Sequence, residues 1–240
     1  MKSSLPPALN IIALTTFAAS LSGRALDPVL PHVADEFGVS IASAAGFSAV
    51  FAFTFAVVQP ALGAAADIFG KARLMIVCLV LLGIANILGA LSSSYYVLFV
   101  TRILAGIGSG GVFPVSLSLV SDLVATDKRQ IALGRTLAGS MAGNLLGATL
   151  SGLIGDLLGW RGVLALLGVL VITASIAIAA GFRGVDLARP PRSSFATLRS
   201  GYWTIFTNPN AKVCYGAVFI EGCCVLGLFP FIAAFLFSSV

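Results

Sequence analysis

Arg24, Asp27, Arg102 and Glu221 sit where an apolar sequence gives them little access to water. A charge at such depth is unfavourable unless it pairs, faces a hydrated cavity or meets a charged cargo. Each is therefore a candidate for moving a proton or holding a solute. Arg24 and Asp27 are three residues apart and share a helix face. Either they neutralise one another, or Asp27 titrates, loaded from outside and emptied inside. Arg102 either faces the interior of a helix bundle, meeting a carboxylate or a substrate, or snorkels to the interface near Tyr95 and Tyr96. A second group, Asp67, Lys71, Arg73 and Asp122, lies at the ends of apolar runs and could form ion pairs there. Metal and cofactor chemistry find no support. His32 is the single histidine, and Cys78, Cys214, Cys223 and Cys224 lie in apolar stretches without a C-x-x-C pair. No nucleophile constellation argues for an enzyme.

The elements that must position these groups follow from composition. The 240 residues are 58% hydrophobic and 10% charged, with a mean hydropathy of +1.05. Soluble domains carry about a quarter charged residues, so most side chains here must face lipid or other lipid-buried helices. A net charge of +5 would suggest nucleic acid on a soluble protein, but these cations lie between apolar runs, where topology accounts for them. Runs of about 20 apolar residues predict seven spans, approximately 8–30, 42–65, 74–92, 95–121, 131–155, 161–181 and 213–237. The expected fold is an all-α membrane protein with a six-helix bundle over 1–182, a basic linker over 183–212, and one further helix in 213–240. Residues 31–43 are expected to be a short polar loop. With the N-terminus in the cytoplasm, Lys2, Lys71, Arg73, Lys128, Arg129, Arg135 and the cations of 183–212 all fall inside, as the positive-inside rule requires. In the fifth span Gly134, Gly139, Gly143, Gly147, Gly152 and Gly155 recur near four-residue spacing, which lets a helix approach a neighbour closely in lipid. Asn86 and Gln59 are expected to hydrogen-bond between helices. Phe51, Phe53 and Phe55 could give a solute apolar contacts, though packing against lipid is the plainer role.

Several motifs resemble one family. "GAAADIFGKAR" (63–73) matches the loop signature G-x-x-x-D-x-x-G-(basic)-x-(basic) of the major facilitator superfamily at Gly63, Asp67, Gly70, Lys71 and Arg73. "RILAGIGSGGVFP" (102–114) resembles the family's arginine-and-glycine signature in the fourth helix, with Ala105 in place of a frequent polar residue. The fifth span resembles the antiporter signature G-x8-G-x3-G-P-x2-G-G at Gly134, Gly143, Gly147 and Gly152, with Ala148 replacing the proline and Ser151 a glycine. "RALDPVLPHVADEFGVS" (24–40) is similar to the drug-proton antiporter branch, in which an aspartate precedes a proline. "GDLLGWRGV" (155–163) is also typical of drug exporters.

The resemblance implies a truncated version of two six-helix bundles with a site between them. It implies proton-coupled efflux of a small amphipathic solute across the inner membrane. Asp27, Arg102 and Glu221 would handle charge, and residues 63–73 would form a cytoplasmic latch. In that latch Asp67 caps a partner helix and bonds an arginine, while Asp122 pairs with the basic residues. The implied partners are a small-molecule substrate, protons, the lipid bilayer and a C-terminal bundle supplied in cis or in trans, with no nucleic acid. The chain is expected to be a fragment of a longer frame or a half-transporter. Metabolite uptake by the same fold is the nearest alternative. A non-transporting interaction subunit or a membrane enzyme is more distant.

Overall fold

Hydrocarbon leaves a spanning backbone one economical solution, the helix, which satisfies its own N–H and C=O groups. In the computed structural model, which describes residues 7–182, 203–204, 207–221 and 224, these are helical with brief interruptions. Helix α1 (Pro7–Leu21) continues through short tight turns at Ser22–Arg24 and Asp27–Val29 into α2 (Leu30–Phe37). Together they form one crossing, Ala8–Phe37. Pro28 and Pro31 explain the interruption, since neither can donate to the preceding turn. Then follow α3 (Ile41–Phe69), α4 (Lys71–Ala90), α5 (Tyr95–Leu123) and α6 (Thr126–Gly181). At 1.5 Å per residue, 56 residues would reach about 84 Å, far beyond the ~30 Å hydrocarbon layer. Gly159 resolves this: its φ of 69° and ψ of 174° break α6 into two arms. The first unit thus carries six crossings.

The junctions are shorter than the sequence suggests. Residues 31–37 form α2 instead of a loop, and the helix ends on Gly38, whose left-handed backbone lets Val39 N–H reach Ala34 O at 3.0 Å. Ser40 then caps α3 by accepting from Ser43 N–H at 3.1 Å. The polar residues 126–130 are the first turns of α6. Only Gly70 separates α3 from α4, at φ 92° and ψ 132°, a region that L side chains rarely enter.

Close helix approach organises the bundle. A Cβ placed on Gly139, Gly143 or Gly147 would lie 3.0, 2.5 or 2.6 Å from the carbonyl oxygens of Ala13, Phe17 and Leu21 respectively. Both sets advance by four residues, so α1 and the first arm of α6 run parallel and in step. Gly152 continues the contact against Pro28, and Gly155 against Val29. Gly134 does not take part: a Cβ there would meet nothing within 4 Å. In α5 the glycines serve two partners. Gly106 and Gly110 face the carbonyls of Phe51 and Phe55 in α3, whereas Gly108 and Gly111 face Cys78 in α4. Gly83 and Gly168 face one another's backbone where α4 crosses the second arm of α6. Buried Met75, Leu79, Leu82 and Val171 fill one core region. Phe47, Leu98, Leu164 and Trp160 fill another. Phe53, Leu145, Leu153 and Leu157 point outward, as lipid-facing side chains do.

Residues 192–240 form a separate compact unit, in which 209–221 is helical. Most of the expected linker, 183–202, lies outside the described residues, as do 222–223 and 225–237 of the expected seventh span.

Overpacking a tight contact costs about 1–3 kcal/mol. Gly147→Val should therefore lower the melting temperature of the detergent-purified protein by several degrees, while Gly134→Val leaves it within about one degree. Equal shifts in the two variants would contradict the parallel crossing of α1 and α6.

Candidate functional site

Polar and aromatic residues recur at four-residue spacing on the inner faces of four helices. Thr16 and Ser20 lie on α1; Phe51, Phe55 and Gln59 on α3; Ser109 and Phe113 on α5; Ser140 and Asn144 on the first arm of α6. With Arg24 they line one cleft of about 420 Å³, within the size range of small-molecule sites. The Ser20 and Ser140 hydroxyls bond across the cleft wall at 2.8 Å. Asn144 donates to Ser140 O at 3.3 Å. Gly23 gives Asn144 room, because a Cβ there would lie 2.9 Å from its Oδ1. The Phe51 and Phe55 rings stack with centroids 6.4 Å apart and planes at 15°. Phe53, between them in sequence, points away and is exposed. Gln59 faces the cleft instead of bridging helices.

Arg24 is the one charged residue lining this cleft. It forms no ion pair with Asp27. The turn between them takes Asp27 to α3, where Ser48 Oγ donates to its Oδ1 at 2.6 Å.

Arg102 is buried, with 2% of its surface exposed, so it does not snorkel to the interface. Nor does it meet a carboxylate among the described residues. Its Nη2 donates to Asn86 Oδ1 at 2.9 Å, and Asn86 Nδ2 donates to Ser22 Oγ at 3.1 Å. Gly89, one turn from Asn86, leaves space for the guanidinium, with an added Cβ falling 3.1 Å from Nη2. The Arg102 Nε has no hydrogen-bond partner. This chain of contacts joins α5 and α4 to the break in α1, two residues from Arg24. Asn86 does bridge helices, but its role is to receive a buried cation.

Ion pairs mark both ends of the bundle. At the end holding Gly70, Lys71 Nζ lies 2.6 Å from Asp122 Oδ2, tying α4 to α5. Asp67 and Arg73 are exposed there, and Asp67 has no hydrogen bond or ion pair among the described residues. The aspartate thus caps nothing within this unit. At the opposite end, Glu36 accepts from Trp160 Nε1 at 2.7 Å and from Arg161 Nη1 at 2.5 Å. Arg161 Nη2 donates to Ser92 O at 2.9 Å, and its guanidinium stands 4.2 Å above the Trp160 ring. This clasp joins α2, the α4–α5 turn and the second arm of α6. It was not foreseen from sequence, because Glu36 and Arg161 are far apart in the chain. Glu221 belongs to the second unit, where it is helical and exposed.

The comparisons with known proteins agree with this architecture. The inner membrane transport protein YnfM of Escherichia coli (strain K12) is 25% identical over 174 residues, covering 71% of this chain and 42% of that protein. The bacillibactin exporter of Bacillus subtilis (strain 168) is 28% identical over 156 residues, covering 62% of this chain and 38% of that protein. The chain spans less than half the length of these two relatives. In fold it is similar to a bacterial homologue of the human lysosomal transporter Spinster, solved inward-facing and unoccupied. The TM-score is 0.67 at 18% identity, over 81% of this chain and 45% of that one. The profile of the Major Facilitator Superfamily matches residues 12–240, and with six crossings, signature glycines at the helix contacts and a cleft on the inner faces of four helices, the chain belongs to that superfamily.

Proposed function

We propose that the chain supplies one half of a secondary transporter that exports a small amphipathic solute in exchange for protons. The observation that carries this reading is the cleft: a polar and aromatic concavity set among helices whose outer surfaces are apolar. A second bundle, in cis or in trans, closes the other side, and rocking of the two bundles opens the cleft to each face of the membrane in turn. Export is favoured over uptake by the exporter among the relatives and by the resemblance to drug-proton antiporters. A transport fold, rather than an enzyme's, is what the family match supports. The inner membrane is the location stated for YnfM. The cations Lys71, Arg73, Lys128 and Arg129 cluster at one end of the bundle, which the positive-inside rule assigns to the cytoplasm along with the N-terminus.

Asp27 is the proton carrier in this scheme. It is half-buried beside the cleft-lining turn and accepts a hydrogen bond from Ser48 on α3. The Lys71–Asp122 pair acts in the conformational cycle. It is partly exposed and so contributes only about 0.5 kcal/mol to stability, but it fixes the ends of α4 and α5 beside the single-residue hinge at Gly70.

Proton coupling is tested in proteoliposomes containing the full chain with its second bundle. The probes are one aromatic solute in three charge states: 2-naphthoate, 2-naphthylmethanol and 2-naphthylmethylammonium. At least one should move under an imposed pH gradient, and Asp27→Asn should cut that flux at least tenfold with the melting temperature retained. Flux of none of the three, or unchanged pH-dependent flux in Asp27→Asn, would remove the corresponding part of the scheme.

Lys71→Asp should slow the same flux several-fold without weakening solute binding. Combining it with Asp122→Lys should restore most of the rate. No recovery in the double variant would show that the pair does not act as an ion pair in the cycle.

A further inference from the structure

We infer that the cleft selects organic anions, an apolar or aromatic body carrying a carboxylate or sulfonate, with Arg24 as the residue that binds the anionic group. This deepens the proposed function, since it rests on the cleft being the solute site.

Among the described residues the cleft is lined by one cation and no acid. Asp27, the acid nearest in sequence, turns to Ser48 on α3 and forms no ion pair with Arg24. Glu36 is bound by Trp160 and Arg161, and Asp122 by Lys71. Arg24 itself has no hydrogen-bond or ion-pair partner among the described residues. Arg24 lies within the candidate span Ala8–Phe37 with its side chain exposed at the cleft, and an ionisable residue inside a spanning segment without an ion-pair partner marks a functional site. Its planar fork matches a carboxylate or sulfonate bidentately, and removal from water strengthens that bond.

The rest of the lining suits the remainder of such a molecule. The Phe51–Phe55 stack and Phe113 offer apolar faces. The neutral polar groups of Ser109, Ser140 and Asn144 accept or donate hydrogen bonds without adding charge. A cationic solute would meet the same aromatic surface but would be repelled by Arg24, with no carboxylate in the cleft to offset the repulsion. The buried Arg102 is joined through Asn86 to Ser22, two residues from Arg24.

The test is binding of the three naphthyl probes to the detergent-purified full chain by calorimetry, independent of flux. 2-Naphthoate should bind at least tenfold more tightly than 2-naphthylmethylammonium, with 2-naphthylmethanol between them. Arg24→Gln should erase that preference, and Arg24→Lys should keep part of it, both at wild-type melting temperature. Equal or tighter binding of the cation overturns the proposal, as does unchanged 2-naphthoate affinity in folded Arg24→Gln. If that variant does not fold, the comparison of the three probes on the wild-type protein decides. The two readings fail separately. Gradient-driven flux without anion preference would leave the transporter and remove the selectivity. Arg24-dependent anion binding without flux would do the reverse.

Discussion

Helices in hydrocarbon gain little by pressing leucine against leucine, because lipid offers an equally apolar surface. What remains is how closely two backbones can approach. The parallel contact of α1 with the first arm of α6 rests on this, with Gly139, Gly143 and Gly147 set against the carbonyls of Ala13, Phe17 and Leu21. The cleft depends on it in turn. Ser140 and Asn144 occupy the helix face beside those glycines, and only a close crossing brings Ser140 within 2.8 Å of Ser20. The glycines of α5 do the same for α3 and α4, setting the Phe51–Phe55 pair at the cleft wall. The small residues thus set the positions of larger ones that have chemistry to perform.

The charges divide by partner. At the helix ends acids and bases meet directly: Lys71 with Asp122, and Glu36 with Arg161. Further along the helices they do not. Arg102 is met by an amide, Asp27 by a hydroxyl, and Arg24 by nothing among the described residues. Direct ion pairs would be strong in low dielectric and would tend to hold a single arrangement. Neutral partners satisfy part of each charged group's hydrogen bonding while leaving its charge available to a proton or a solute.

Much of the fold was legible because its causes are local. Spanning length, cation placement and four-residue glycine spacing are properties of single segments. The errors were at boundaries. The polar residues 31–37 read as a loop, yet Pro31 opens a helix and Gly38 closes it. The site was less legible because it combines faces of four helices. The pairing of Arg24 with Asp27 was drawn from a helical spacing that Pro28 disrupts, and the partner of Asp27 turned out to be Ser48, on another helix. Asn86 was recognised as a bridging residue, but nothing local shows that Arg102 is what it bridges to. One signal of the cleft is local: Thr16 with Ser20, Phe51 with Phe55 and Gln59, and Ser140 with Asn144 are all four apart, and each set lines the cleft.

Sequence signatures and function also need not coincide at each residue. Gly70 earns its place in the loop signature by backbone geometry alone, since φ of 92° excludes most other residues. Gly134 matches the antiporter signature but packs against nothing in this unit, whereas Gly139 and Gly155, outside that signature, make close contacts. A glycine matters where another backbone presses on it, and a charged residue matters where its neighbours leave it unsatisfied. By that criterion Arg24, which no family signature singled out, is the residue in this bundle with the strongest physical reason to meet a ligand.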